Sequence, residues 1–283
     1  MCFTPLASIT TAIIEFIIAT YLFYRIKDKK LYPLAIFILL LGLYQFTEFM
    51  LCTSINQIIW ARIGFATYTF MPLLMYQFFI NASGNKIKNY LYLIPFFFSS
   101  LALFYPNFIK YTSCNLLHVT VESIVFNQNL ILMLLYLAYY FYCPVYGVYI
   151  FSKKMNYSNM DLSKKLSFMA APFALLLSLA YYLWSTIIEK DQIQTWLHTS
   201  ILILVSILIL VLLSSLLIKK SKKLFYQTNS LILGTAGVTI VTLHYLVPNI
   251  SLNYASIFCQ FAIIYGFAAL FLINSLDGKM PKA

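Results

Sequence analysis

Long apolar runs dominate this chain and leave it few possible folds. Nine of them follow one another: Leu6–Tyr24, Leu31–Cys52, Trp60–Ile80, Leu91–Phe108, Leu130–Phe151, Leu166–Ile188, Leu197–Ile218, Phe225–Val247 and Tyr254–Asn274. A helix rises about 1.5 Å per residue, so about 20 apolar residues cross a hydrocarbon core of roughly 30 Å. Run length selects helices, because a barrel strand is about 10 residues long and alternates in polarity. The predicted fold is all-α, a polytopic transmembrane bundle of about nine helices forming a single integral membrane domain over 1–283. Composition agrees: 62% of the 283 residues are hydrophobic and 10% charged. Soluble domains are roughly half apolar and about a quarter charged.

The net charge of +11 is not the mark of a nucleic-acid partner, because the basic residues fall in short loops between apolar runs. They report topology instead. One alternate set of loops holds Arg25, Lys27, Lys29, Lys30, Lys86, Lys88, Lys153, Lys154, Lys164, Lys165, Lys219, Lys220, Lys222, Lys223, Lys279 and Lys282. The other holds Arg62, Lys110 and Lys190. Basic loops stay cytoplasmic, so the expected orientation is N-terminus outside and C-terminus inside, in the inner (cytoplasmic) membrane of the cell. Two runs are irregular. Leu91–Phe108 carries Pro95 and Pro106, and Phe225–Val247 carries Gln227, Thr228 and Asn229. Dropping either would invert every later loop and weaken the charge bias. The first run is read as a helix and not as a cleaved leader, since no basic segment precedes it and no small-x-small site follows it.

This topology places most of the chemically unusual residues at the external face. Glu48 lies one turn beyond Gln45 in the outer part of the second helix, where a carboxylate is either ion-paired, with Arg62 as the nearest partner, or engaged with a ligand or proton. Glu15 falls near the middle of the first helix. It must face the bundle or be neutral, either hydrogen-bonded to a threonine or handling a proton or substrate. The loop Ile109 to Asn129 carries Cys114, His118 and Glu122 at spacings of four. On a helix these make one column, and with His198 and His244 entering from the same side they are candidate zinc ligands. An amphipathic helix lying on the membrane surface explains the same spacing. Cys2, Cys52, Cys114 and Cys259 are external and allow three pairings; buried, unpaired thiols are the other outcome. The 23 tyrosines and 25 phenylalanines are read as interfacial belts and interhelical packing.

The opening Met1-Cys2-Phe3-Thr4-Pro5-Leu6-Ala7-Ser8 resembles an uncharacterised family of bacterial multipass membrane proteins that begin Met-Cys-Phe-Ser-x-x-Ala-Ser. That family's second helix carries Gly-x-Gln-Gln-x-x-Glu-Gly, which Gly42, Gln45 and Glu48 match and from which Tyr44 and Phe49 depart. Its late Ser-x-x-Cys looks like Ser256-Ile257-Phe258-Cys259, and an aromatic-proline pair is echoed by Phe70-Met71-Pro72. The resemblance supplies positions and no reaction. Trp60-Ala61-Arg62-Ile63-Gly64 with Met71-Pro72 is similar, more weakly, to the seven-helix sensor region of histidine kinases, which implies sensing through a separate partner.

The functional expectation is binding, sensing or transport of a small molecule or lipid through an external polar pocket. Cys2, Gln45, Glu48, Ser256 and Cys259 are brought together there by helix 9 packing on helices 1 and 2. The alternative is a membrane-embedded, metal-dependent hydrolase that uses Glu48 or Glu122 as base and histidine-bound zinc to activate water. The expected surroundings are the lipid bilayer and its lipids.

Overall fold

Prolines mark where several helices begin. Pro33, Pro72 and Pro95 each lie within the first turn of a helix, where the missing N–H has no intrahelical acceptor to serve in any case. The computed structural model describes residues 5–26, 28–85, 89–114, 119–127, 130–154, 266, 267, 269 and 270. In chain order the elements are α1 (Pro5–Arg25), α2 (Tyr32–Thr53), α3 (Gln57–Thr69), α4 (Met71–Ala82), α5 (Leu93–Phe104), β1 (Ile109–Cys114), β2 (Val119–Ser123), the single turn α6 (Ile124–Asn127) and α7 (Leu130–Lys154).

The described residues are mostly helical. Four of their helices are long and apolar enough to cross a membrane: Ser8–Arg25, Lys29–Thr53, Gln57–Ala82 and Ile131–Phe151. They correspond to the runs expected at 6–24, 31–52, 60–80 and 130–151. The runs at 166–188, 197–218 and 225–247 lie outside the described residues. Of 254–274, only 266, 267, 269 and 270 are described, all helical.

Two expectations change. The third run is not one helix but two, α3 and α4, meeting at Phe70 just before Pro72. The fourth is a shorter apolar helix, Asn89–Phe104. It stops before Pro106, which cannot continue a helix, and the Phe108 N–H then closes a turn onto the Tyr105 carbonyl.

α1 and α2 form an antiparallel pair. Along α1 the buried positions are Ser8, Thr11, Ala12, Glu15, Ile18, Ala19 and Leu22, one stripe at helical spacing. Between the two helices, Asp28 accepts the Lys30 N–H at 2.9 Å and stops the chain from running straight on. The side chain of Asn81, at the end of α4, donates to the Lys30 carbonyl at 3.0 Å. α4 then stops at Gly84, whose φ of 75° suits a residue without a side chain. The end of α1, the start of α2 and the end of α4 therefore share one end of the bundle, with Arg25, Lys29 and Lys30. The end of α2, the start of α3 and the end of α5 lie at the other.

That second end is covered by a β-hairpin. β1 and β2 pair antiparallel, with Tyr111 opposite Glu122, Thr112 opposite Val121 and Cys114 opposite Val119. A disulfide joins Cys114 to Cys52 near the end of α2, with 5.4 Å between the Cα atoms. The Thr112 hydroxyl meets the Gln57 side chain at the start of α3, 3.2 Å away. The helical column expected here does not form. Tyr111-Thr112-Ser113 and Val119-Thr120-Val121 are rich in β-branched and aromatic residues, and such residues fit a pleated strand better than a helix.

Candidate functional site

Burial selects the polar groups that matter, because a polar side chain inside an apolar bundle is costly unless it has a partner or a task. Glu15 and Gln45 are 0% exposed and Glu48 is 3% exposed. Glu15 lies about 15 Å along α1 from Pro5, close to the middle of a bilayer core. Gly42 of α2 stands opposite it: a Cβ added there would lie 3.2 Å from the Glu15 Cβ and 3.0 Å from the Phe16 ring. From Gly42, residues spaced by three turn about 60° per step around the helix axis. Gly42, Gln45 and Glu48 therefore wind away from α1 toward the tyrosines of α3 and α7.

There the Glu48 carboxyl lies within hydrogen-bonding reach of the Tyr44 hydroxyl one turn earlier on α2. Tyr68 and Tyr140 lie within electrostatic reach of the same hydroxyl, and the Tyr44 and Tyr68 rings meet edge to face, 5.7 Å between centroids. Phe65 links Tyr68 to Tyr136, with centroids 4.9 Å and 5.5 Å away. The Tyr136 hydroxyl reaches the Thr69 hydroxyl at 3.3 Å. The result is a buried carboxyl beside Tyr44, whose hydroxyl and ring lead on to tyrosines of α3 and α7.

The break between α3 and α4 belongs to this wall. In an unbroken helix the Leu73 N–H would bond the Thr69 carbonyl. Instead the Tyr139 hydroxyl donates to the Thr69 carbonyl at 2.8 Å, with the Leu73 N–H within reach of the same oxygen. A side chain inserted into the helical ladder is a recognised cause of a kink. The Tyr139 ring, from α7, thus repairs the discontinuity that Pro72 introduces.

Arg62 does not serve Glu48 as the ion-pair reading supposed. Its guanidinium donates to the carbonyls of Leu103 and Pro106. These acceptors sit at and just beyond the end of α5, where carbonyls lack helical partners and a cation is favoured. The metal-ligand column is also corrected. The Cys114 sulfur is bonded to Cys52, and Glu122 lies opposite Tyr111, about 10 Å along the ladder from Cys114. Among the described residues no group of three or more His, Cys, Asp or Glu gathers. The readings on His118, His198 and His244 lie outside the described residues.

Of the five residues expected in one pocket, Gln45 and Glu48 are both buried in the second half of α2, toward the disulfide end, whereas Cys2, Ser256 and Cys259 lie outside the described residues. The short described piece near residue 266 does rest on α1. A Cβ on Gly266 would come within 2.8 Å of the Ile18 side chain, and Ala269 is fully buried in the core. Sequence reasoning missed Tyr44, Tyr68, Tyr136, Tyr139 and Tyr140. The signal was present in Tyr136, Tyr139 and Tyr140, spaced by three and four on one helical face. No family model, curated protein or solved structure matches the chain.

Proposed function

We propose that this chain is a multipass inner-membrane protein that binds a small molecule or lipid headgroup in a polar pocket under its external surface. Glu48, Gln45 and Tyr44 make the polar contacts in this reading, and Tyr68 and Tyr140 provide its aromatic wall. The observation that carries it is the buried Glu48–Tyr44 pair beside Gln45, only a few residues from the disulfide that ties the hairpin over the end of α2. A carboxyl held inside an apolar bundle marks a functional position more often than a stabilising one. Aromatic walls with one convergent anion suit an amine or ammonium group, which the carboxylate neutralises and the ring faces attract.

The orientation supports an extracytoplasmic pocket. Disulfides persist in oxidising compartments, and Arg25, Lys29 and Lys30 gather at the opposite end. Native mass spectrometry of the purified protein, followed by thermal unfolding with phosphatidylethanolamine, phosphatidylglycerol and choline, tests the reading. A bound species or a stabilising shift that is lost in Glu48→Gln and Tyr44→Phe is the expected result. Binding that survives both substitutions, or no binding at all by wild-type protein, removes it.

A further inference from the structure

Glu15 is not needed by that pocket. It sits near mid-membrane on the buried stripe of α1, and neither of its carboxyl oxygens has a hydrogen-bond partner among the described residues. Across the helix pair it faces Gly42, which offers no side chain, and beside it on α1 the Phe16 ring packs on the same glycine. An ionised carboxylate cannot persist in such surroundings without a cation or several donors.

Among the described residues, buried polar groups flank it on one side only. On α1, Ser8 and Thr11 occupy the two preceding turns of the same buried stripe. On α2, Gln45 and Glu48 lie at the corresponding depths toward the disulfide end, where α2 terminates. Below Glu15 the stripe becomes wholly apolar, with Ile18, Ala19 and Leu22. The titratable groups on elements packed here are Glu48 and Tyr44 of α2, both nearer the mouth and turned toward α3. The described residues near 266 bring none.

From this placement we infer that Glu15 is a proton-binding site at the closed end of a half-channel, loaded from the disulfide end and neutral in the state seen here. The carboxyl takes up one proton in that state. It releases the same proton when α1 and α2 part enough to admit water or a monovalent cation. Such a site would couple movement of the α1–α2 pair to a proton. It goes beyond the pocket around Glu48, which works without it.

Dicyclohexylcarbodiimide tests this, because it dissolves in apolar regions and reacts with neutral carboxyls. An ordinary exposed carboxyl, with a pKa of about 4, is roughly 0.1% protonated at about pH 7 and labels poorly. Wild-type protein in detergent is treated across a pH series, and modified peptides are located by mass spectrometry. The expected result is an adduct on Glu15 at about pH 7 that declines several-fold as pH rises, while a water-soluble carbodiimide leaves Glu15 unmodified. Glu48→Gln should slow the labelling without abolishing it. No adduct on Glu15 in folded protein overturns the site. An adduct whose yield is the same at every pH marks a sealed structural carboxyl and overturns the exchange. Neither result bears on ligand binding at Glu48, which is read separately in unlabelled protein.

Discussion

Gly42 lets α1 and α2 approach closely. An added methyl would lie 3.0 Å from the Phe16 ring and 3.2 Å from the Glu15 Cβ, so those neighbours must give by a few tenths of an ångström. Gly42→Ala should therefore cost little, whereas Gly42→Leu should destabilise by about 1–3 kcal/mol through overpacking. Thermal unfolding in detergent measures both, and a Gly42→Leu protein as stable as Gly42→Ala would show that the helices are not tightly apposed there. Tyr139 is a second such position. Tyr139→Phe keeps the ring and removes the oxygen between Leu73 and Thr69. Leaving a buried donor and acceptor unpaired should cost about 1–3 kcal/mol, and a loss below about 0.5 kcal/mol would mean that the rung closes on itself. The two residues differ in how they could be found. Gly42, with Gln45 and Glu48, stood out in the sequence as a spaced motif on one helix. The role of Tyr139 depends on a broken rung in another helix, and no local pattern announces that. Arg62 shows the same limit: Glu48 is its obvious partner by sequence distance, yet the uncapped end of α5, about 40 residues further on, claims it.

Among the elements, the hairpin is where spacing misled. Residues four apart line up on a helix, so Cys114, His118 and Glu122 read as a column. β-branched residues on both sides of the turn override that spacing and produce two strands instead. The hairpin then depends on a covalent tie. The Cys52–Cys114 bond closes a loop spanning 62 residues in sequence, for which chain-entropy arguments give at most about 4 kcal/mol. Cys52→Ser and Cys114→Ser should lower stability equally, and the double substitution should be no worse than either, because each removes the same bond. Additive losses in non-reducing unfolding experiments would show that the two sulfurs act independently. Helix boundaries were easier to read. Run length and the prolines of α2 and α5 are local signals, and those helices begin within a few residues of the expected positions, whereas the start of α4 at Met71 falls inside a run read as one helix.

For the molecule as a whole, the element that fixes orientation is α2. Its 22 residues span about 33 Å, enough to put Tyr32 and Thr53 at opposite faces of a bilayer core. Two unrelated properties then sort its ends. Arg25, Lys29 and Lys30 gather where α2 begins, and basic residues are retained on the cytoplasmic side. The disulfide lies where α2 ends, and disulfides persist on the oxidising side. Charge was legible in the sequence; the bond was not, because the four cysteines expected outside allow three pairings and give no reason to choose. Under the proposed orientation both properties put the hairpin end outside, and single reporter cysteines should then separate cleanly. A cysteine at Lys29 should react with an impermeant maleimide only after the membrane is opened, and one at Asn56 should react in intact cells. An impermeant phosphine applied outside should likewise reduce the Cys52–Cys114 bond without lysis. Asn56 flanks α3 and makes only a local backbone contact, its N–H meeting the Ser54 hydroxyl at 3.2 Å, so the probe there disturbs little. Reaction of both cysteines from the same side would mean that α2 does not cross the membrane. Reaction in the reverse order would invert the bundle, set the pocket and the proton entry on the cytoplasmic side, and leave the disulfide facing a reducing compartment where it should not survive.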